Sequence, residues 1–252
     1  MKTHLIRYTR HHCAKAFTLV EMLVVIAIMS ILVTAGAVGL SGIGGKGVTT
    51  GVATAEALFE EARSTAVGRN LRSCILVAKN LTNDPAGDLR RIVIAYEETI
   101  TDKNSPDFGK AKNPSSLTPQ WELSSRGAVL PEKTYFSSKF SKKDQSGREL
   151  TTISSTRIVG VKPPFAGDYY IYQFNGQGIL SDSEAGQYDG GASFIIGTGA
   201  RNSSKPASGN HLPRTVSEAK MDFGGFIIWK NGSTSVFRSP SQMKISSDVT
   251  EF

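Results

Sequence analysis

Histidine and cysteine are nearly missing from this chain. Four histidines and two cysteines occur in 252 residues. Of these, His4, His11, His12 and Cys13 crowd the start, so the rest of the chain holds only His211 and Cys74. That scarcity excludes most histidine-based catalysis and most zinc sites, which need several such ligands at set spacings. There is no GxSxG, no P-loop and no GxGxxG opening a helix. Gly176-Gln177-Gly178 is followed by no helical pattern and reads as a turn. We therefore expect no enzyme, no cofactor and no internal disulfide. Cys74, inside the apolar run Ser73-Cys74-Ile75-Leu76-Val77, reads as a small buried hydrophobe and not as a reactive thiol. Asp182, Glu184 and Asp189 offer oxygen atoms of the kind calcium takes, but without an EF-hand spacing. A solvated turn is the expectation there, and no metal.

Acid is also missing where base is concentrated. The first sixteen residues carry Lys2, Arg7, Arg10 and Lys15 and no Asp or Glu. The formal charge of +7 is therefore mostly local: beyond residue 16 there are 25 Lys and Arg against 22 Asp and Glu. Basic residues in the remaining loops lack an interleaved aromatic stripe, so nucleic acid is not an expected partner. A basic leader before an apolar run instead orients the N-terminus to the cytoplasm.

What the sequence does have is the run KAFTLVEMLVVIAIMSILVTAGAVGL, residues 15 to 40. About 20 apolar residues suffice to cross a bilayer. Within this run stands one carboxylate, Glu21. A charge at membrane depth costs at least ~2.5–3 kcal/mol, so an acid in that place asks for a functional reason. Short carboxylates also reach the interface poorly compared with Lys or Arg.

Leader charge, the string Phe17-Thr18-Leu19-Val20-Glu21 and the apolar run together resemble the N-terminus of type IV prepilins and type II secretion pseudopilins. In that family a basic leader is cut just before a Phe, and Glu is the fifth residue of the mature chain. The family usually has Gly before the cut; Ala16, the next smallest side chain, stands there. The resemblance implies cleavage between Ala16 and Phe17 and N-methylation of Phe17 by a prepilin peptidase/methyltransferase. It also implies that Glu21 sets assembly register by pairing with the Phe17 amine of a neighbouring subunit, two opposite charges that attract strongly at low dielectric. The implied partners are that peptidase, other pilins or pseudopilins, an inner-membrane assembly platform, and membrane lipid before assembly. The implied location is the bacterial inner membrane in a single pass, with the C-terminal domain periplasmic or on the fibre surface.

Gly36, Gly39, Gly42, Gly44, Gly45, Gly47 and Gly51 follow the apolar run. Each costs a helix about 0.8–1 kcal/mol relative to Ala, so residues 36–51 are expected to be weakly helical or extended. From Val52 to Arg69 apolar residues recur at helical spacing: Val52, Ala55, Leu58, Phe59, Ala62 and Ala66. Glu56, Glu60, Glu61 and Arg63 lie mostly off that face. The end of this helix, with Ala62, Arg63, Ser64, Ala66, Arg69 and Asn70, resembles the end of the long helix in GspH/FimT-type minor pseudopilins.

After Asn70 the period shortens. Strands are expected at Ser73–Lys79, Arg91–Glu97, Gln120–Leu123, Arg157–Val161, Tyr169–Phe174, Ser193–Ile196, Gly225–Lys230 and Thr234–Arg238. The last two flank Asn231-Gly232, a strong hairpin signal. Three polar stretches, 99–119, 139–155 and 197–217, read as surface loops.

The expected fold is thus α+β. A long N-terminal hydrophobic helix of the pilin type continues into an amphipathic helix packed on an antiparallel β-sheet domain. Its parts are a leader (1–16), a transmembrane and assembly helix with a glycine-rich break (17–70), and a periplasmic or extracellular β-rich domain (71–252). The expected function is a structural, minor fibre subunit, in a pilus-like or secretion fibre or one for DNA uptake. Two rivals remain: a membrane-anchored binding domain that never polymerises, and a secreted protein cut at Ala35-Gly36-Ala37.

Overall fold

A computed structural model describes residues 20, 22–26, 28, 43–181, 191–201, 213–215, 221–237, 240–245 and 249. The chain divides into two units, Met1–Ile43 and Gly44–Phe252. In the first, Val20, Met22 to Ile26 and Ile28 are helical. Among the described residues no helix is long and apolar enough to cross a membrane, and most of the expected N-terminal span lies outside them.

The second unit is a mixed helix and antiparallel-sheet domain. It opens with α1, Ile43–Arg69. All six residues expected on the helix's apolar face are buried, with Ala55, Ala62 and Ala66 fully so. Charged side chains at 56, 60, 61 and 63 take the outer sides, and Arg126 reaches Glu61 at 3.0 Å. The helix stops at Asn70, whose φ of 51° is left-handed. The Leu71 amide donates to the Ala66 carbonyl at 3.2 Å and the Asn70 amide to Val67 at 3.3 Å. This pair of bonds is the Schellman closure, and Asn is among the few residues that tolerate its left-handed position.

The helix begins nine residues earlier than the glycine content predicts, and the physical reason is packing. A methyl group built on Gly51 would lie 2.7 Å from Ile196 Cδ1, and one on Gly47 would lie 3.0 Å from Thr134 Oγ1. From Gly47 on, small residues let the helix lie close to the sheet. Burial of Val48 and Val52 then outweighs the glycine propensity cost.

Among the described residues the strands that follow are β1 Ser73–Leu81, β2 Arg91–Glu97, β3 Trp121–Val129, β4 Thr134–Phe136, β5 Thr152–Ser154, β6 Ile158–Val159, β7 Gly167–Phe174, β8 Leu180–Ser181, β9 Ala192–Ala200, β10 Arg214–Thr215, β11 Phe223–Ile228 and β12 Thr234–Val236. The first sheet runs β5-β7-β1-β2-β3-β6, with β8 beside β7. The second runs β10-β9-β11-β12, with β4 beside β9. All pairings are antiparallel except β3 with β6. In β3 the three residues Ser124 to Arg126 stand opposite the single Ile94 of β2, which bulges the strand.

The central strand β1 explains its own continuous apolar sequence. Ile75 and Val77 join the core under α1, whereas Cys74, Leu76 and Ala78 join a second core on the opposite face with Trp121 and Tyr169. Both faces are covered, so alternation disappears. A third, smaller core places Met243, Ile245 and Val249 against Ile195 and Phe223.

Phe59 joins the two sheets to the helix. Its ring makes edge contacts with Tyr172 at 5.1 Å and Phe174 at 6.3 Å on the first sheet. It makes similar contacts with Phe194 at 5.5 Å and Phe226 at 5.1 Å on the second. Ser73 adds a polar tie, its hydroxyl donating to the Ala62 carbonyl at 2.6 Å while fully buried.

Candidate functional site

The residues expected to carry cleavage, methylation and register, Ala16, Phe17 and Glu21, lie outside the described residues. Their described neighbours have a telling surface. Val20, Met22, Leu23, Val24, Val25, Ile26 and Ile28 are all helical and all exposed, by 48% to 68%. Consecutive helical positions point in every direction around the axis, 100° apart at 3.6 residues per turn. A helix that is apolar all round requires lipid or other protein around it, since water offers it no compensation.

The folded domain offers little reactive chemistry. Cys74 is free and fully buried, and burial pushes its thiol well above the usual range. A thiol held protonated inside an apolar core is a poor nucleophile, as expected from its sequence setting. Tyr169 is pushed up to about 12, first by burial, and its hydroxyl donates to the Phe165 carbonyl at 2.6 Å. Burial pushes Asp144 up as well, but hydrogen bonds and charge from Arg148 outweigh it, and the carboxyl sits below its ordinary value. Among the described residues no three His, Cys, Asp or Glu side chains come together as a metal site. His211 and the acidic turn 182–189 lie outside the described residues.

Where they are described, the three polar stretches contain regular pairing that composition does not suggest. In residues 99–119, Thr99 bridges to Ala111, and Arg72 fastens the far end. The Arg72 guanidinium is forked onto the buried Glu97 carboxylate and also donates to the Ser116 carbonyl at 2.6 Å. The stretch 139–155 contains β5, and 197–217 contains the end of β9 and all of β10. Reading those two as loops throughout is corrected accordingly. Strands of two or three residues are too short to show a period.

Among the surface grooves of the described residues, one borders β3 and another borders α1. The first, of about 560 Å³, lies beside the β3 bulge between Leu123, Val93, Val159 and Phe165, with Glu122 and Lys162 at its edge. The other, of about 330 Å³, separates the first half of α1 from β11 and β12. Neither pairs a nucleophile with a base. Sequence reasoning missed the second groove, because the helix and the strands that line it lie far apart along the chain.

Comparison with known families gives one match. Residues 11–37 fit the family model described as "Prokaryotic N-terminal methylation motif". The match covers the end of the leader, the expected cut and most of the apolar run, and it supports the type IV pilin and pseudopilin class. Such a motif indicates a structural protein and not an enzyme, and implies processing by a prepilin peptidase and assembly with other pilins. It also suggests a membrane-anchored N-terminus. No curated protein and no solved structure matches the chain.

Proposed function

We propose that this chain is a minor subunit of a type IV pilus-like fibre or type II secretion pseudopilus. It is cut between Ala16 and Phe17, methylated on the Phe17 amine, and assembled through its N-terminal helix. The observation that carries this reading is the methylation motif over residues 11–37. Support comes from Val20, Met22 to Ile26 and Ile28, which are helical, apolar and exposed.

In this reading the apolar segment holds the subunit in the inner membrane with its N-terminus cytoplasmic until assembly. Glu21 then pairs with the Phe17 amine of a neighbour and fixes axial register between helices that otherwise slide on uniform apolar surface. The resemblance of Ala62 to Asn70 to GspH/FimT-type chains favours a minor subunit over the abundant one.

The test is the intact mass and N-terminal peptide of the protein taken from its native membranes. An N-methylated Phe17 terminus is expected. An unprocessed Met1 terminus would show a static anchored domain, and a terminus near Val38 a secreted protein.

A further inference from the structure

Strands with a single neighbour are kept short in this domain. Among the described residues β4, β5, β6, β8, β10 and β12 have two or three residues each, a common protection against stray pairing. Strand β3 has nine, and its outer side is almost as bare. On that side it meets only β6, at Trp121 with Ile158 and Glu122 with Val159. There Gly160, with a left-handed φ of 60°, turns the chain off the edge. From Leu123 to Val129 no further strand lies beside β3 on its outer side among the described residues.

The pairing with β2 fixes which main-chain groups face outward. The Leu130 amide donates to the Arg90 carbonyl at 2.8 Å, and facing pairs of an antiparallel ladder alternate between bonded and unbonded. Ala128 falls in a bonded pair with Ile92, so the amides and carbonyls of Gly127 and Val129 point away from β2. Among the described residues no main-chain partner takes them. A trough runs beside these groups. The groove of about 560 Å³ and a smaller hollow of about 260 Å³ share Val93, Ser124, Ser125 and Phe165, and together they follow β3 from Glu122 to Val129. Its far wall is pinned, with Arg91 over the Phe165 ring at 5.1 Å and the Tyr169 hydroxyl on the Phe165 carbonyl. The two faces of the edge differ. Val93, Leu123 and Phe165 belong to the second core, whereas Arg126 reaches toward α1 and Glu61. A strand laid here meets apolar surface with every second side chain, and polar surroundings with the others.

We infer that the outer edge of β3, from Leu123 to Val129, takes up an extended segment of another polypeptide, apolar at every second position, as an added strand. Main-chain hydrogen bonds give such recognition its affinity, and the alternate side chains give it selectivity. A second β3 is not that segment. Two such edges paired antiparallel about their centres would set Arg126 against Arg126 and bulge against bulge. The inference goes beyond the fibre reading and does not rest on it, and it leaves the N-terminal helix to its own packing.

The probe is a fluorescent heptapeptide of alternating threonine and valine, titrated onto the full-length protein in lipid nanodiscs and read by polarisation. Saturable binding is expected, with hydrogen exchange at the Gly127 and Val129 amides slowed by the peptide. The same peptide with every amide N-methylated should bind at least about tenfold more weakly. Val129→Pro removes one outward donor without touching the β2 pairing, and should weaken the unmodified peptide to a similar degree with circular dichroism unchanged. Val159→Glu, in the trough wall and 41% exposed, should do the same, and it keeps the test open if the proline variant fails to fold. Equal affinity for the N-methylated peptide would mean adhesion to apolar surface without strand pairing, and overturns the inference. So do absent binding and an affinity indifferent to both substitutions. Gly127 and Val129 amides already protected in the free protein also overturn it, since the chain itself would then fill the edge. None of these outcomes bears on the terminus at Phe17, which is read separately.

Discussion

Two helical stretches of this chain treat water in opposite ways. Around Val20–Ile28 every described side chain is apolar and exposed. In α1 one row, from Val48 through Phe59 to Ala66, is buried while the glutamates and Arg63 turn outward. The second pattern is that of a helix completed by its own domain. The first is that of a helix whose surroundings come from outside the fold. On the assembly reading proposed above, one polypeptide separates what makes the domain stable from what makes it associate, and changes in one stretch should leave the other's property untouched.

The strongest way to break that separation is at Glu21. Glu21→Ala should abolish fibre assembly, measured by the protein recovered in the sheared extracellular fraction, while membrane fractionation stays as in the parent. Loss of insertion, or unchanged assembly, would contradict the division of labour. Next in size is Phe59→Ala, which opens a cavity where both sheets meet the helix. It should cost about 3–5 kcal/mol in chemical denaturation of the detergent-solubilised chain. Val24→Ala in the same assay should shift the domain's unfolding by less than about 0.5 kcal/mol, as surface changes do.

Smaller effects sharpen the picture within α1 itself. A methyl group on Gly68 meets nothing within 4 Å, so Gly68→Ala should gain about 0.8–1 kcal/mol from helix propensity alone. The same change at Gly51 would press on Ile196 and should gain nothing, or cost stability. Equal gains at both sites in thermal unfolding would remove packing as the reason for the glycines.

The smallest effect is electrostatic. The Asp144 carboxyl titrates below its ordinary value when folded, so it stabilises the fold above the unfolded value of about 3.9. That stabilisation disappears as pH falls through the lower, folded-state value. Asp144→Asn should therefore flatten the acid limb of the stability curve below pH ~4, measured by denaturant midpoints across pH.

How much of this was legible from the residues depended on how local the cause was. From Val52 on, the buried face of α1 could be read at every position because helical spacing is a local signal. Strand β2 has the expected bounds, and the hairpin at Asn231-Gly232 joins β11 to β12 as its turn chemistry requires. The helical state of Ile43–Gly51 was not legible, because the propensity of four glycines argued one way and contacts with Thr134 and Ile196 decided the other. Strands β4, β5, β8 and β10 escaped notice because two or three residues carry no period. The motif at Ala16, Phe17 and Glu21 is the reverse case: these residues lie outside the described ones, and their proposed roles rest on the sequence string. The groove beside α1 needed coordinates, because α1 and the strands lining it are far apart in sequence.

The seating of Phe59 also has a mechanical side. A pull along the axis of α1 loads the packed ring sideways against four aromatic neighbours and against the Ser73–Ala62 hydrogen bond, all at once. Shear spread over many contacts resists tension better than a ladder opened one rung at a time. The domain should therefore hold its helix like a keyed shaft.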